Sequence, residues 1–123
     1  MGLAVDYDDV NQTTPLAVAT NNITTSTPGT LTLTTTVDNS WLIGTIRCNA
    51  SNPTGAGANT AEVTKSSTEL GYVLYDSNGA KTPTGSYTIT STFSGSQLYS
   101  FTGAQLSVAS ASSSTNSAFF AYM

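Results

Sequence analysis

A chain of 123 residues is long enough for one domain with one core. Three basic residues, Arg47, Lys65 and Lys81, stand against seven acidic ones for a net charge of −4, which excludes nucleic-acid binding by phosphate neutralisation. Charged residues are 8% of the chain where ordinary domains carry about 25%, Ser and Thr make up about a third, and frequent aromatic side chains exclude disorder.

In chain order, residues 3–10 are expected as a first strand or arm, with Leu3, Val5 and Tyr7 on one face and Ala4, Asp6 and Asp8 on the other. Residues 11–15 break it. A short second strand or an extended arm follows over 16–20, Asn21-Asn22 turns the chain, and residues 23–27 are extended up to the firm turn at Pro28-Gly29. Residues 30–37 alternate, with Leu31, Leu33, Thr35 and Val37 inward and Thr32, Thr34 and Thr36 outward. Trp41-Leu42-Ile43-Gly44-Thr45-Ile46-Arg47-Cys48 is apolar on both faces. Such a strand is covered on both sides or meets another subunit, and Gly44 marks a bulge or a close backbone approach.

Residues 49–60 form a long loop and 62–70 a short strand or one helical turn. Residues 71–93 hold the clearest pattern in the chain. Gly71-Tyr72-Val73-Leu74-Tyr75 is a strand, and Asn78-Gly79 supplies the two left-handed residues of a type I′ hairpin. That hairpin sets Ser77 against Ala80 and Asp76 against Lys81. Pro83 ends or bends the returning strand. Beyond Thr84-Gly85, the side chains of Tyr87, Ile89, Ser91 and Phe93 share one face. Residues 97–102 and 104–109 make two further strands, 110–116 a polar loop, and 118–123 an aromatic closing strand.

These elements specify an all-β fold: a single domain over residues 1–123, a small antiparallel β-sandwich or jelly roll of about eight short strands, with residues 1–20 as N-terminal arm or first strand. No fixed period points to a solenoid. The expected core is Leu31, Leu33, Ile43, Ile46, Val73, Ile89, Phe93, Leu106, Val108 and Phe120.

Catalytic parts are scarce. The chain has no His, so the commonest general base and its triads are absent. Cys48 has no partner for a disulfide and sits at the end of an apolar run, as a buried free thiol does. Asp6, Asp8 and Asp9 with Asn11 are the only clustered acids. On a strand they diverge, so a charged edge explains them better than a calcium site. No cofactor and no metal are expected, and no apolar stretch is long enough to span a membrane. The sequons at Asn11, Asn22 and Asn49 are as frequent as chance allows in so Ser- and Thr-rich a chain.

The aromatic segment Phe119-Phe120-Ala121-Tyr122 is similar to the last strand of trimeric jelly-roll modules, such as tumour-necrosis-factor-like heads and viral fibre knobs. That resemblance implies a trimer. The composition leads to the expectation of a non-enzymatic assembly subunit: a bacteriophage virion component such as a capsid decoration or cement protein, or a small knob, made in the host cytoplasm. Its partners are then itself and a larger protein assembly, through Trp41, Leu42, Ile43, Phe119, Phe120 and Tyr122. One alternative is an extracellular or cell-surface fimbrial or adhesin subunit whose arm, residues 3–20, adds a strand to its neighbour. Another is a small lectin using Tyr72, Tyr75, Tyr87 and Tyr99 as stacking faces.

Overall fold

Alternation of apolar and hydroxyl side chains sets the facing of most strands. A computed structural model describes residues 5–50, 52–65 and 72–109. Eight strands follow in order: β1 (Leu16–Ser26), β2 (Gly29–Thr34), β3 (Trp41–Cys48), β4 (Gly55–Ala56), β5 (Ala61–Lys65), β6 (Val73–Asp76), β7 (Ser86–Thr92) and β8 (Gln97–Leu106). They form a five-stranded sheet, β1-β8-β3-β6-β5, and a three-stranded sheet, β2-β7-β4, with every pairing antiparallel. The chain is therefore all-β, and of the two architectures expected it is the sandwich.

The core lies between the sheets. Leu31 and Leu33 of β2 and Ile89 of β7 meet Leu42, Ile46 and Cys48 of β3, Val73 and Tyr75 of β6, and Tyr99 and Phe101 of β8. The residues that reach this core alternate along β2, β3, β6 and β8, as the pleat requires, although β6 is buried on both faces. At the centre, Gly44 and Gly103 are direct cross-strand partners. A Cβ on Gly103 would sit 2.3 Å from the Ile43 carbonyl oxygen and 2.6 Å from Leu31 Cδ2. The close approach expected at Gly44 is thus real, and the side chain of Leu31 occupies the space that the two glycines leave.

Of the expected core, Leu31, Leu33, Ile46, Val73, Ile89 and Leu106 are buried. Phe93 is half-buried against the cluster and Val108 half-buried at the sheet end. Ile43 is a correction: it points to the outer face of the larger sheet, half-buried, because Leu42 and Gly44 take the inward positions. Phe120 lies outside the described residues. Val37 is also corrected, being exposed at 43%. The chain leaves β2 at Thr34, and Thr35 closes the exit by donating its backbone N–H to the Gly85 carbonyl (2.9 Å).

The expected hairpin is the main correction. Asn78 and Gly79 do adopt left-handed torsions, φ 47° and 116°, but the segments they join do not pair. β6 pairs with β3 and β5 instead. Ser77 donates its N–H to the Leu42 carbonyl (2.9 Å) and Lys81 donates to the Ser40 carbonyl (2.8 Å), so the turn carries the chain past the start of β3 toward the second sheet. The physical reason is burial: Ala80-Lys81-Thr82 has nothing to cover Val73 and Tyr75, whereas β3 does. Asp76 therefore faces Ile43 and Ala61, not Lys81.

Other boundaries differ too. Residues 16–20 and 23–27 fuse through Asn21-Asn22 into β1, and the two strands expected over 97–109 fuse into β8. The two strands pair with each other along most of their length. The first strand dissolves into a bridge between Val10 and Val108. Its residues 3 and 4, like residues 66–71 and the closing segment 118–123, lie outside the described residues. The Thr27–Pro28 and Thr82–Pro83 peptide bonds are cis.

Candidate functional site

The outer face of the five-stranded sheet is assembled by register. Strands β1, β8 and β3 place Ala19, Ala104 and Ile43 in one row, then Asn21, Thr102 and Thr45, then Ile23, Ser100 and Arg47. β6 adds Leu74 beside Thr45. Leu16, Ala19, Ile43, Leu74 and Ala104 line a shallow, open, almost wholly apolar depression of about 230 Å³. Leu16, Ile23 and Leu98 are exposed at 58%, 64% and 44%. The domain's own core is complete without them.

At one end the N-terminal segment covers this face. The ring of Tyr7 lies 5.8 Å from that of Trp41 at 49°, and its hydroxyl donates to Asp76 Oδ2 (3.1 Å). Burial, then the charge of Asp76 and that hydrogen bond, push the Tyr7 hydroxyl well above its ordinary pKa. Asp9 and Asn11 continue the cover by exchanging backbone hydrogen bonds with Ala109 and Ser107 (2.7 and 2.9 Å). A second cavity of about 230 Å³ opens beneath, where Tyr7, Asp8, Asp9, Asn39 and Trp41 converge with Leu106. It draws on three distant parts of the chain, which no spacing in the sequence announces.

The structure separates the residues expected at a site. Of the interface set, Trp41 is half-buried under Tyr7 and Ile43 half-buried on the outer face. Leu42 is a correction: it is fully buried in the core and offers no surface. Phe119, Phe120 and Tyr122 lie outside the described residues.

The four tyrosines do not form one platform. Tyr75 and Tyr99 are corrections, because both rings are buried and their hydroxyls tie the sheets together. Tyr75 Oη shares a hydrogen bond with Ser91 Oγ (2.9 Å) and donates to the Gly55 carbonyl (3.2 Å). Tyr99 Oη accepts from Thr30 N (3.1 Å) and Asn22 Nδ2 (3.0 Å). Tyr72 lies beneath the Arg47 guanidinium, 5.8 Å from its ring centre. Tyr87 sits on the other sheet, half-buried, with its hydroxyl on the Pro83 carbonyl.

Cys48 is free and buried. Burial pushes its thiol up to about 11, and burial likewise pushes Tyr75 up to about 12, against the opposing pull of its Ser91 hydrogen bond. Both shifts run opposite to that of an activated nucleophile. Among the described residues no group of three or more Asp, Glu, Cys or His side chains is placed to hold a metal, and no helix is long and apolar enough to cross a membrane. Comparison with protein-family models, with curated proteins and with solved structures gives no match.

Proposed function

We propose that the chain is a non-enzymatic structural subunit of a larger assembly, with a virion as that assembly and capsid decoration, cementing or a small knob as its role. The observation that carries this reading is the apolar depression on the outer face of the five-stranded sheet, with Leu16 exposed at its rim. Apolar surface of this kind marks a contact site. The charge-poor, Thr- and Ser-rich composition supports the same reading, since it removes the repulsion that keeps copies apart. The trimer implied by the closing segment rests on residues 118–123. A fimbrial donor arm over residues 3–20 fits less well, because residues 16–20 belong to β1 of the domain's own sheet.

The test is light scattering on the purified chain at micromolar concentration, alongside sedimentation with particles whose genes neighbour its own. Self-association, or binding to such particles, is expected. A chain that stays monomeric and ignores every particle refutes the reading. A small carbohydrate-binding module is the second reading, now favoured by the cavity at Trp41 rather than by the tyrosines. There a half-buried indole stands beside Asp8, Asp9 and Asn39, the pairing of an aromatic ring with polar groups that sugars require. Quenching of Trp41 fluorescence by simple hexoses is its expected signature.

A further inference from the structure

Among the described residues, three of the four sheet edges carry some protection. β4 is two residues long. β5 carries Glu62 and has a register irregularity between Glu62 and Thr64. β2 is capped by side chains at Thr30, whose N–H is donated to Tyr99 Oη and whose carbonyl accepts from Asn22 Nδ2 (2.9 Å). These are the devices by which sheets avoid pairing with other chains.

β1 has little of this protection. It is eleven residues long, Leu-Ala-Val-Ala-Thr-Asn-Asn-Ile-Thr-Thr-Ser, with no charge and no proline. Among the described residues it pairs on one side only, with β8, and the one irregularity of that pairing lies near one end, between Leu16 and Ala19. None of its residues is buried. Among the described residues, none of the further backbone hydrogen bonds outside the strand ladders reaches it. Along an antiparallel edge, alternate residues turn both N–H and C=O outward, so β1 offers an open ladder to another strand.

We infer that β1 is a self-pairing edge, joined antiparallel to β1 of a second copy about a two-fold axis near Asn21. The inference rests on the assembly reading above and names its contact. The occupant follows from the strand itself. An uncharged, extended edge accepts an uncharged, extended partner, and a second β1 brings neither like charges nor a missing N–H into the ladder. Identical edges paired antiparallel form a closed, isologous contact. Centred on Asn21, the register sets Leu16 against Ser26 and Ala19 against Ile23. The exposed Ile23 then packs over a small neighbour on the outer face, and the two five-stranded sheets become one continuous sheet.

The test is disulfide trapping in the full chain. Asn21→Cys in a Cys48→Ala background brings two thiols across the axis at the spacing of a directly opposed strand pair, about 4.5–5.5 Å between Cα atoms. Rapid oxidative cross-linking to a dimer is expected, at least tenfold faster than for Thr45→Cys, which lies in the middle of the outer face. Asn21→Lys, which sets two like charges together at the axis, is expected to weaken the dimer at least tenfold with an unchanged far-UV spectrum. Association without preferential trapping at Asn21 overturns the edge pairing and leaves the assembly reading standing. A chain that remains monomeric at tens of micromolar overturns the edge pairing too, and particle binding then decides the assembly reading separately.

Discussion

Tyr99 illustrates how much of this fold rests on single polar atoms inside an apolar core. Its hydroxyl serves a backbone N–H on β2 and an amide on β1. Tyr99→Phe leaves the Thr30 N–H without that acceptor, and a buried unsatisfied donor costs about 1–3 kcal/mol. Denaturant unfolding is expected to show that loss, and Tyr87→Phe, whose hydroxyl sits at the exposed rim, a smaller one. Cys48 gives a pH signature. Its ordinary pKa of 9.0 is raised to about 11 in the fold, so the folded state holds the proton more tightly than the unfolded chain. The stability tied to the neutral thiol is complete below about pH 9 and is lost as pH rises toward 11, an effect on the order of 2 kcal/mol. Tyr75 extends the decline toward pH 12. Thermal melts across this range should fall with pH, and Cys48→Ala should flatten the first part of the fall.

Among the elements, the β3–β8 pair sets the geometry of both faces. Gly44 and Gly103 let the two strands carry Leu31 between them on the inside, while their neighbours Ile43, Ala104 and Thr102 form the floor of the outer depression. Gly103→Ala drives a Cβ into the Ile43 carbonyl oxygen, a backbone atom that cannot move alone. A loss of about 1–3 kcal/mol or more is expected in equilibrium unfolding. Gly95→Ala, which meets nothing within 4 Å, should change stability by no more than about 0.5 kcal/mol. On the smaller sheet, Thr32 and Thr88, and Thr34 and Ser86, share hydroxyl hydrogen bonds at 2.8 Å across β2 and β7. The Thr-rich pattern thus gives that sheet a polar outer face, in contrast to the apolar depression on the larger sheet.

For the whole molecule, this asymmetry gives the association proposed above its direction. One side presents hydroxyl ladders, the other an apolar depression bordered by an uncharged edge. Contacts built from such surfaces contain few ion pairs for salt to screen. Sedimentation velocity is expected to show association unchanged or strengthened between low and high salt, and strengthened by sulfate. Dissociation on adding sodium chloride would identify an electrostatic interface and contradict the role given to the sheet face.

Local chemistry determined the class, the strand content and most inward positions, because a side-chain period of two with hydroxyls between apolar residues leaves a strand one way to face. Leu31, Leu33, Ile46, Val73 and Ile89 were legible on that ground. Partnership was not legible. Asn78 and Gly79 have the left-handed φ of a hairpin turn, yet β3 takes β6 because it helps bury Val73 and Tyr75 where Ala80-Lys81-Thr82 would not. Trp41–Cys48 read as apolar throughout, but only the packing decided that Leu42 belongs to the core and Ile43 to the outer face. The candidate sites were hidden for the same reason. The outer depression, the cavity at Trp41 and the open edge of β1 join residues far apart in the chain, and long-range strand pairing, which no local pattern encodes, brings them together.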